Sequence, residues 1–370
     1  MKVAIVLNSS WNIVNFRMGL VRALQESGHE VFAIAPRDSY SNKLIDNNCH
    51  YVPIKMDSRG VNPLKDFLLT LELFNTYRKI KPDIILHFTV KPNVYGTIAA
   101  NFLKIPVINN VCGLGSGFLK KGFITYVIKI LYKLSFKLSS KVFFQNYEDC
   151  RLFVKNKLVK EEITDILPGS GINIAQFKPV QYKKTKSFTF LLVSRIIKDK
   201  GIMEYIEAIK ILKPDHPHFK FQILGAIDEH HRHGISRKLI ENWIAEGVFE
   251  YLGTVDDVRD TIDQAHCVVL PSYREGTPRT LLEAASMAKP IVTTRAAGCT
   301  NVVEDGYNGL LCRPRDAKDL AAKLKQMAEK SESELREMGM SGRKKIEKYF
   351  DESIVIDKYF KSISEISRNV

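Results

Sequence analysis

The sequence predicts an α/β protein made of two domains, each a parallel β-sheet covered by helices. Three observations predict it. Short apolar, β-branched runs of strand length alternate with segments of helical spacing along nearly the whole chain. The strand runs are almost continuously apolar, as strands buried on both faces of a parallel sheet are. The rhythm also restarts after a polar, Lys-rich stretch near the middle of the 370 residues, a length that supports two cores.

Lys2–Leu7 reads as the first strand, Asn8–Asn15 as a polar turn, and Phe16–Glu26 as a helix through Met18, Leu20, Val21 and Leu24, stopped by Gly28. Val31–Ala35 is the second strand. Strands at Asp83–His87, Pro106–Val111 and Lys141–Phe144 follow, with a helix at Val94–Leu103. Phe177–Ser187 reads as a linker. Beyond it, strands are expected at Thr189–Ser194, Lys220–Leu224, Cys267–Leu270 and Pro290–Thr294, and helices at Gly201–Lys213, Pro278–Met287 and Ala317–Lys330. The expected division is residues 1–176, linker 177–187, residues 188–350, and a terminal helix within 351–370. Two such domains should face a cleft, with ligands outside the carboxyl ends of the strands.

Composition narrows the partners. Lys and Arg number 55 against 41 Asp and Glu, a formal net charge of +14. Residues 1–180 hold 24 basic and 13 acidic side chains, so most of the surplus lies in the first half. That predicts an anionic partner there. The six cysteines are scattered without a CxxC pair, which signals neither a disulfide framework nor a zinc site. The apolar run at the amino terminus, Val3 to Leu7, is too short for a signal-peptide core, and no stretch is long enough to span a bilayer. A cytoplasmic location is expected. His216, His218, His230, His231 and His233 read as solvated loop histidines, and no metal pattern is present.

The chemistry concentrates in Glu275-Gly-Thr-Pro-Arg-Thr-Leu-Leu-Glu283, between a strand and a helix. Thr277 fits the N-cap and Pro278 the first helical position, which leaves the amides of Arg279 and Thr280 polarised for an anion. The same pattern also fits an ordinary capped helix with Glu283 in solvent. In Ser194-Arg195-Ile-Ile-Lys-Asp-Lys200-Gly201, Arg195 ends a strand and Lys200 opens a helix. A cation there opposes the helix dipole, which suggests an anion between the cations and the amides, although solvated loop charges fit too. Gly169, Gly171 and Gly225 sit where backbone approaches a ligand or merely turns. Gly113-Leu-Gly115-Ser-Gly117 is Gly-rich but matches neither the dinucleotide fingerprint nor the P-loop.

Gly117–Lys141 carries six lysines (120, 121, 129, 133, 137 and 141) and no acidic residue. From Lys129 the lysines recur every four residues on one helical face, with Ile124, Val127, Ile128, Leu131, Leu134 and Leu138 on the other. A basic amphipathic helix suits an anionic membrane interface; a helix packed on its sheet with lysines in water is the alternative.

Together these residues resemble the retaining nucleotide-sugar glycosyltransferases of the GT-B fold, in the large family four. Glu275–Glu283 is similar to that family's E-x7-E motif, Arg195 with Lys200 to its phosphate-binding pair, and Val302–Pro314 to its VxxGxNGLLxxP segment. Phe16-Arg17, Gly28–Val31 and Gly113-Leu-Gly115 resemble the subgroup that extends polyprenyl-diphosphate-linked sugars for bacterial capsules, O-antigens and protein glycans, N-acetylhexosaminyl transferases in particular. Three places depart from the pattern: Asn8-Ser9-Ser10 replaces a frequent Gly pair, Asn109-Asn110-Val111-Cys112 stands where many members carry a His after the strand, and Asn301 replaces a usual Glu.

The resemblance implies α/β GT-B architecture and metal-independent transfer from a UDP-sugar, with no cofactor. It implies catalytic roles for Glu275, Arg195 and Lys200. Gly171, Gly225, Gly276, Thr277, Arg279, Thr280 and Glu283 join Arg195 and Lys200 around the nucleotide sugar. On the acceptor and membrane side it implies Ser9, Ser10, Arg17, Lys91, Gly113, Gly115, Lys120, Lys121, Lys129 and Lys133. The expected site of action is the inner face of the plasma membrane, on a polyprenyl-diphosphate-linked sugar. The alternatives are a related nucleotide-sugar 2-epimerase and a non-catalytic basic binder of nucleic acid or membrane. No nucleic-acid motif supports the last.

Overall fold

The computed structural model describes residues 1–57, 62–113, 122–179 and 187–368. The chain forms two compact units, Met1–Ser170 together with the terminal helix Glu352–Arg368, and Gly171–Asp351. Both are α/β, and every paired strand is parallel.

The first unit has a seven-stranded sheet of order β3-β2-β1-β4-β5-β6-β7. Its strands are β1 Lys2–Val6, β2 Glu30–Ala35, β3 His50–Pro53, β4 Ile84–Phe88, β5 Val107–Val111, β6 Lys141–Phe144 and β7 Thr164–Ile166. Val3 pairs with Val31 on one side and Ile84 on the other, so strand order reverses at β1. Helices Met18–Glu26 and Glu352–Arg368 pack together, with Val21, Leu24, Val355 and Tyr359 in one core cluster. Helix Pro63–Ile80 belongs to a second cluster, where Leu69, Leu73 and Tyr77 meet Ala4 and Ile85. Pro92–Gly96 is one turn of π-helix, continued by Thr97–Phe102, where the sequence predicts a single α-helix.

The second unit repeats the plan with six strands, β10-β9-β8-β11-β12-β13. These are β8 Phe188–Val193, β9 Phe219–Leu224, β10 Glu250–Tyr251, β11 Cys267–Leu270, β12 Ile291–Thr294 and β13 Gly309–Cys312. Order reverses between β8 and β11, so both sheets have the crevice at which doubly wound folds bind ligands.

Two expectations are corrected. Ser10–Phe16 is helical rather than a turn, because the Ser9 hydroxyl caps the Asn12 amide at 3.2 Å. The division between units falls after Ser170 rather than at residue 176. Arg343 donates to the carbonyls of Ile174 (3.2 Å) and Phe177 (2.6 Å), which binds that stretch into the second unit.

Candidate active site

In the second unit, three loops converge at the carboxyl end of the sheet. The loop after β8 carries Arg195 and the turn Lys198–Lys200; the loop after β9 carries Asp228; the loop after β11 carries Glu275, Gly276 and Thr277. Isolated bridges Ile196–Ile227 and Ile197–Gly234 stitch the first two together. Glycine is required at two positions in the first two of these loops. Gly201 (φ +74°) lies against the Pro271 carbonyl and Gly225 (φ +145°) against the Ser194 carbonyl, and a Cβ at either would collide with backbone.

Each site cation is met by a carboxylate. Arg195 Nη1 lies 3.1 Å from Asp228 Oδ2, Lys200 pairs with Glu275, and Arg279 Nε lies 3.1 Å from Glu283 Oε1. Arg279 Nη1 also donates to the Gly171 carbonyl at 2.6 Å, which ties the start of this unit to the site. Burial pushes the Glu283 carboxyl above its usual range, and Arg279 opposes the shift. Asp228 is a partner that sequence reading misses, since 33 residues separate it from Arg195 with no local pattern between them. His233, expected to be solvated, holds Asp199 beside Lys200 at 2.5 Å.

Helix Arg279–Ser286 begins one residue later than predicted. Pro278, not Thr277, is the N-cap (φ −71°, ψ 115°), because it is the last residue with extended backbone. Arg279 and Thr280 thus occupy the first two helical positions, whose amides point beyond the helix. The Thr280 hydroxyl donates to the Val193 carbonyl at 3.0 Å and fixes this helix start against the end of β8. A half-buried group of cations, carboxylates and helix amides can exchange its internal ion pairs for a diphosphate.

Two family models match the chain: "glycosyl transferase 4-like" over residues 2–146 and "glycosyl transferases group 1" over residues 173–345. The chain belongs to the glycosyltransferases. This glycosyltransferase is 29% identical to N,N'-diacetylbacillosaminyl-diphospho-undecaprenol alpha-1,3-N-acetylgalactosaminyltransferase of Campylobacter jejuni, across 100% of both chains. It is 23% identical to UDP-Gal:alpha-D-GlcNAc-diphosphoundecaprenol alpha-1,3-galactosyltransferase of Escherichia coli, over 81% of this chain and 83% of that one. Among solved structures, Anabaena HepE in complex with UDP and glucose superposes with TM-score 0.80 at 17% identity, covering 98% of this chain and 99% of its own. The fold is GT-B.

The first unit of the glycosyltransferase treats its expected residues unevenly. Ser9 is spent as a helix cap, and Ser10 is fully buried against the Pro36 carbonyl (3.1 Å) and Ser41 Oγ (2.9 Å), so Ser10 is structural rather than acceptor-facing. Lys91 is likewise committed: its Nζ lies 2.8 Å from Asp66, which also accepts from Tyr95 at 3.0 Å. Gly113 follows β5 with φ +147°. Gly115, Lys120 and Lys121 lie outside the described residues, as does most of the expected linker.

The basic helix spans Phe123–Lys137, and Lys141 opens β6 instead of continuing it. Its inward face is only partly the expected one: Ile128 and Leu131 pack on the core as expected. Tyr132 and Phe136 pack edgewise or tilted on Phe153, whereas Leu134 and Leu138 are exposed beside Lys133 and Lys137. The aromatic cluster takes the sheet-facing positions and turns the leucines outward. Sequence reading also passes over helix Pro63–Ile80, on which Leu64, Phe67, Leu68 and Leu71 are 69, 58, 54 and 44% exposed. Their spacing of three, four and seven residues was the available signal, because it draws one apolar stripe. Asn109 joins a buried network in which His87 reaches Tyr77 (2.9 Å) and Asn109 (3.1 Å).

Proposed function

We propose that this glycosyltransferase moves an N-acetylhexosamine from a UDP-sugar to a polyprenyl-diphosphate-linked sugar, with retention, in the assembly of a bacterial surface polysaccharide or glycan. The observation that carries the reading is the paired-cation site of the second unit. Arg195 and Lys200 are released from Asp228 and Glu275 as the donor diphosphate takes their place. Breaking the sugar–phosphate bond builds negative charge on the leaving oxygen. Cations and helix amides already in position stabilise that charge without reorganising. They also supply the countercharge that a metal would otherwise provide, so transfer proceeds without one. Glu275, freed from Lys200, holds the transferred sugar, and Glu283, steadied by Arg279, accepts from the ribose hydroxyls.

The acceptor reading is supported by the Campylobacter and Escherichia relatives, whose names specify diphospho-undecaprenol or diphosphoundecaprenol substrates. Attachment to an anionic leaflet on the inner face of the plasma membrane accompanies it. Among the described residues no helix is long and apolar enough to cross a membrane. Helices Pro63–Ile80 and Phe123–Lys137 both pack on the π-turn Pro92–Gly96, and each presents exposed apolar side chains, the second with lysines among them. Apolar side chains between lysines suit insertion at an acidic surface.

The deciding experiment incubates the protein with a panel of UDP-sugars and polyprenyl-diphosphate-linked sugars, with and without a chelator, and reads the product linkage by NMR. An α-linked product, formed equally with chelator, is expected. Interconversion of UDP-sugars without acceptor would establish the 2-epimerase instead.

A further inference from the structure

Arg17 stands between helices Ser10–Phe16 and Met18–Glu26, at the place where the first sheet reverses its strand order. Its side chain is 4% exposed. The guanidinium lies 4.5 Å over the Phe88 ring, at the end of β4, and Nη2 is 3.8 Å from Cys112 Sγ, just beyond β5. Nε and Nη1 are buried and have no hydrogen-bond partner among the described residues, and no carboxylate pairs with this cation there. Burying a guanidinium without a counterion is strongly unfavourable.

Independent observations surround it. Thr89, next to Phe88, holds φ +68° although it is β-branched, and its buried Oγ1 also has no partner. Asn93, one π-turn later, donates to the Asn110 carbonyl at 2.8 Å but leaves its own Oδ1 unmatched. Backbone strain and unmatched polar atoms thus gather at one sheet end, at the crevice where doubly wound sheets receive ligands.

We propose that Arg17 is the receptor for a phosphoryl oxyanion in the first unit. The guanidinium fork donates to the phosphoryl oxygens and the Thr89 hydroxyl adds a third donor. Which substrate brings the phosphoryl group rests on the reaction proposed above, since donor and acceptor both carry a diphosphate. The anion site itself does not rest on that reaction.

The test uses the full chain and inorganic pyrophosphate as probe. In an R195A/K200A background, which disables the second-unit site, calorimetry should still detect pyrophosphate binding. Adding Arg17→Met should weaken that binding by about tenfold or more, as loss of charge-assisted hydrogen bonds does. Arg17→Lys should retain part of it. Without ligand, Arg17→Met should melt no lower than the parent, because it removes an unpaired buried charge. Unchanged pyrophosphate binding, or a lower melting temperature with binding intact, would identify a structural anchor and overturn the proposal. In otherwise wild-type enzyme, a raised KM for the lipid-linked acceptor alone assigns the phosphoryl group to the acceptor. A raised KM for the UDP-sugar alone assigns it to the donor, and no change in either KM overturns the assignment to either substrate and leaves the anion site to the pyrophosphate result. Absence of transfer with every donor and acceptor would defeat the reaction proposed above and leave the pyrophosphate result standing.

Discussion

The second unit meets each of its site cations with a carboxylate of its own, whereas in the first no carboxylate among the described residues pairs with the buried Arg17, and Lys133 and Lys137 stand in solvent. The two sheets share a topology, so the difference lies in the loops and surfaces. A self-paired site keeps its cations ordered before ligand arrives and, on the function proposed above, exchanges partners when a diphosphate enters. An unpaired basic region gains stability only when an external anion arrives. The charge distribution agrees: the surplus of basic residues lies in the first 180 residues, while the half that carries the paired site is nearly balanced.

The sharpest way to break this comparison is Lys200→Ala. Losing one preorganised donor to the leaving oxygen should slow transfer by about 100- to 1000-fold, equivalent to ~2.7–4 kcal/mol of barrier. Steady-state turnover, with circular dichroism as the fold control, measures it. Next in size, replacing Lys129, Lys133 and Lys137 with Ser should weaken binding to anionic vesicles by roughly 100-fold, at about 1 kcal/mol per lysine. UDP binding should be untouched. Vesicle sedimentation that matches the wild type would remove the first unit's surface charge from the account.

A third prediction separates the units by pH. Burial lowers His87 from 6.5 to about 3, so the folded first unit keeps it neutral. The unfolded chain binds the proton first on acidification. Stability should therefore be complete above pH 6.5 and decline progressively as pH falls toward 3. His87→Gln should flatten that decline in denaturant titrations followed by probes in the first unit, and an unchanged slope would contradict it. The smallest effect is expected for Asp228→Asn. Freeing the half-exposed Arg195 should tighten UDP binding by at most about fivefold, in line with the ~0.2–1 kcal/mol that exposed pairs contribute. Weaker UDP binding would mean that Asp228 positions Arg195 instead of competing with the ligand.

Much of the fold is legible in the sequence because parallel strands are written as apolar runs: Cys267–Leu270 and Lys141–Phe144 fall where expected. Helix Ser10–Phe16 is hidden because polar residues compose most of its start and a single side-chain cap decides it. The π-turn Pro92–Gly96 leaves no periodic signature. In the site, Glu275, Arg279 and Glu283 are legible because spacing along one loop and helix fixes them. The Arg195–Asp228 and Lys200–Glu275 pairs are not, because tertiary folding alone brings those loops together. The basic helix shows the same limit. Its lysines are evident, but which apolar residues turn inward depends on Phe153, on another helix.

The central claim is that the cations of the second unit hold the donor diphosphate by giving up their carboxylate partners. Calorimetric titration of UDP into wild type and Lys200→Ala tests it most directly. The account predicts that the variant binds UDP at least about tenfold more weakly, as loss of a charge-assisted hydrogen bond requires. Equal affinity in the two proteins would contradict it.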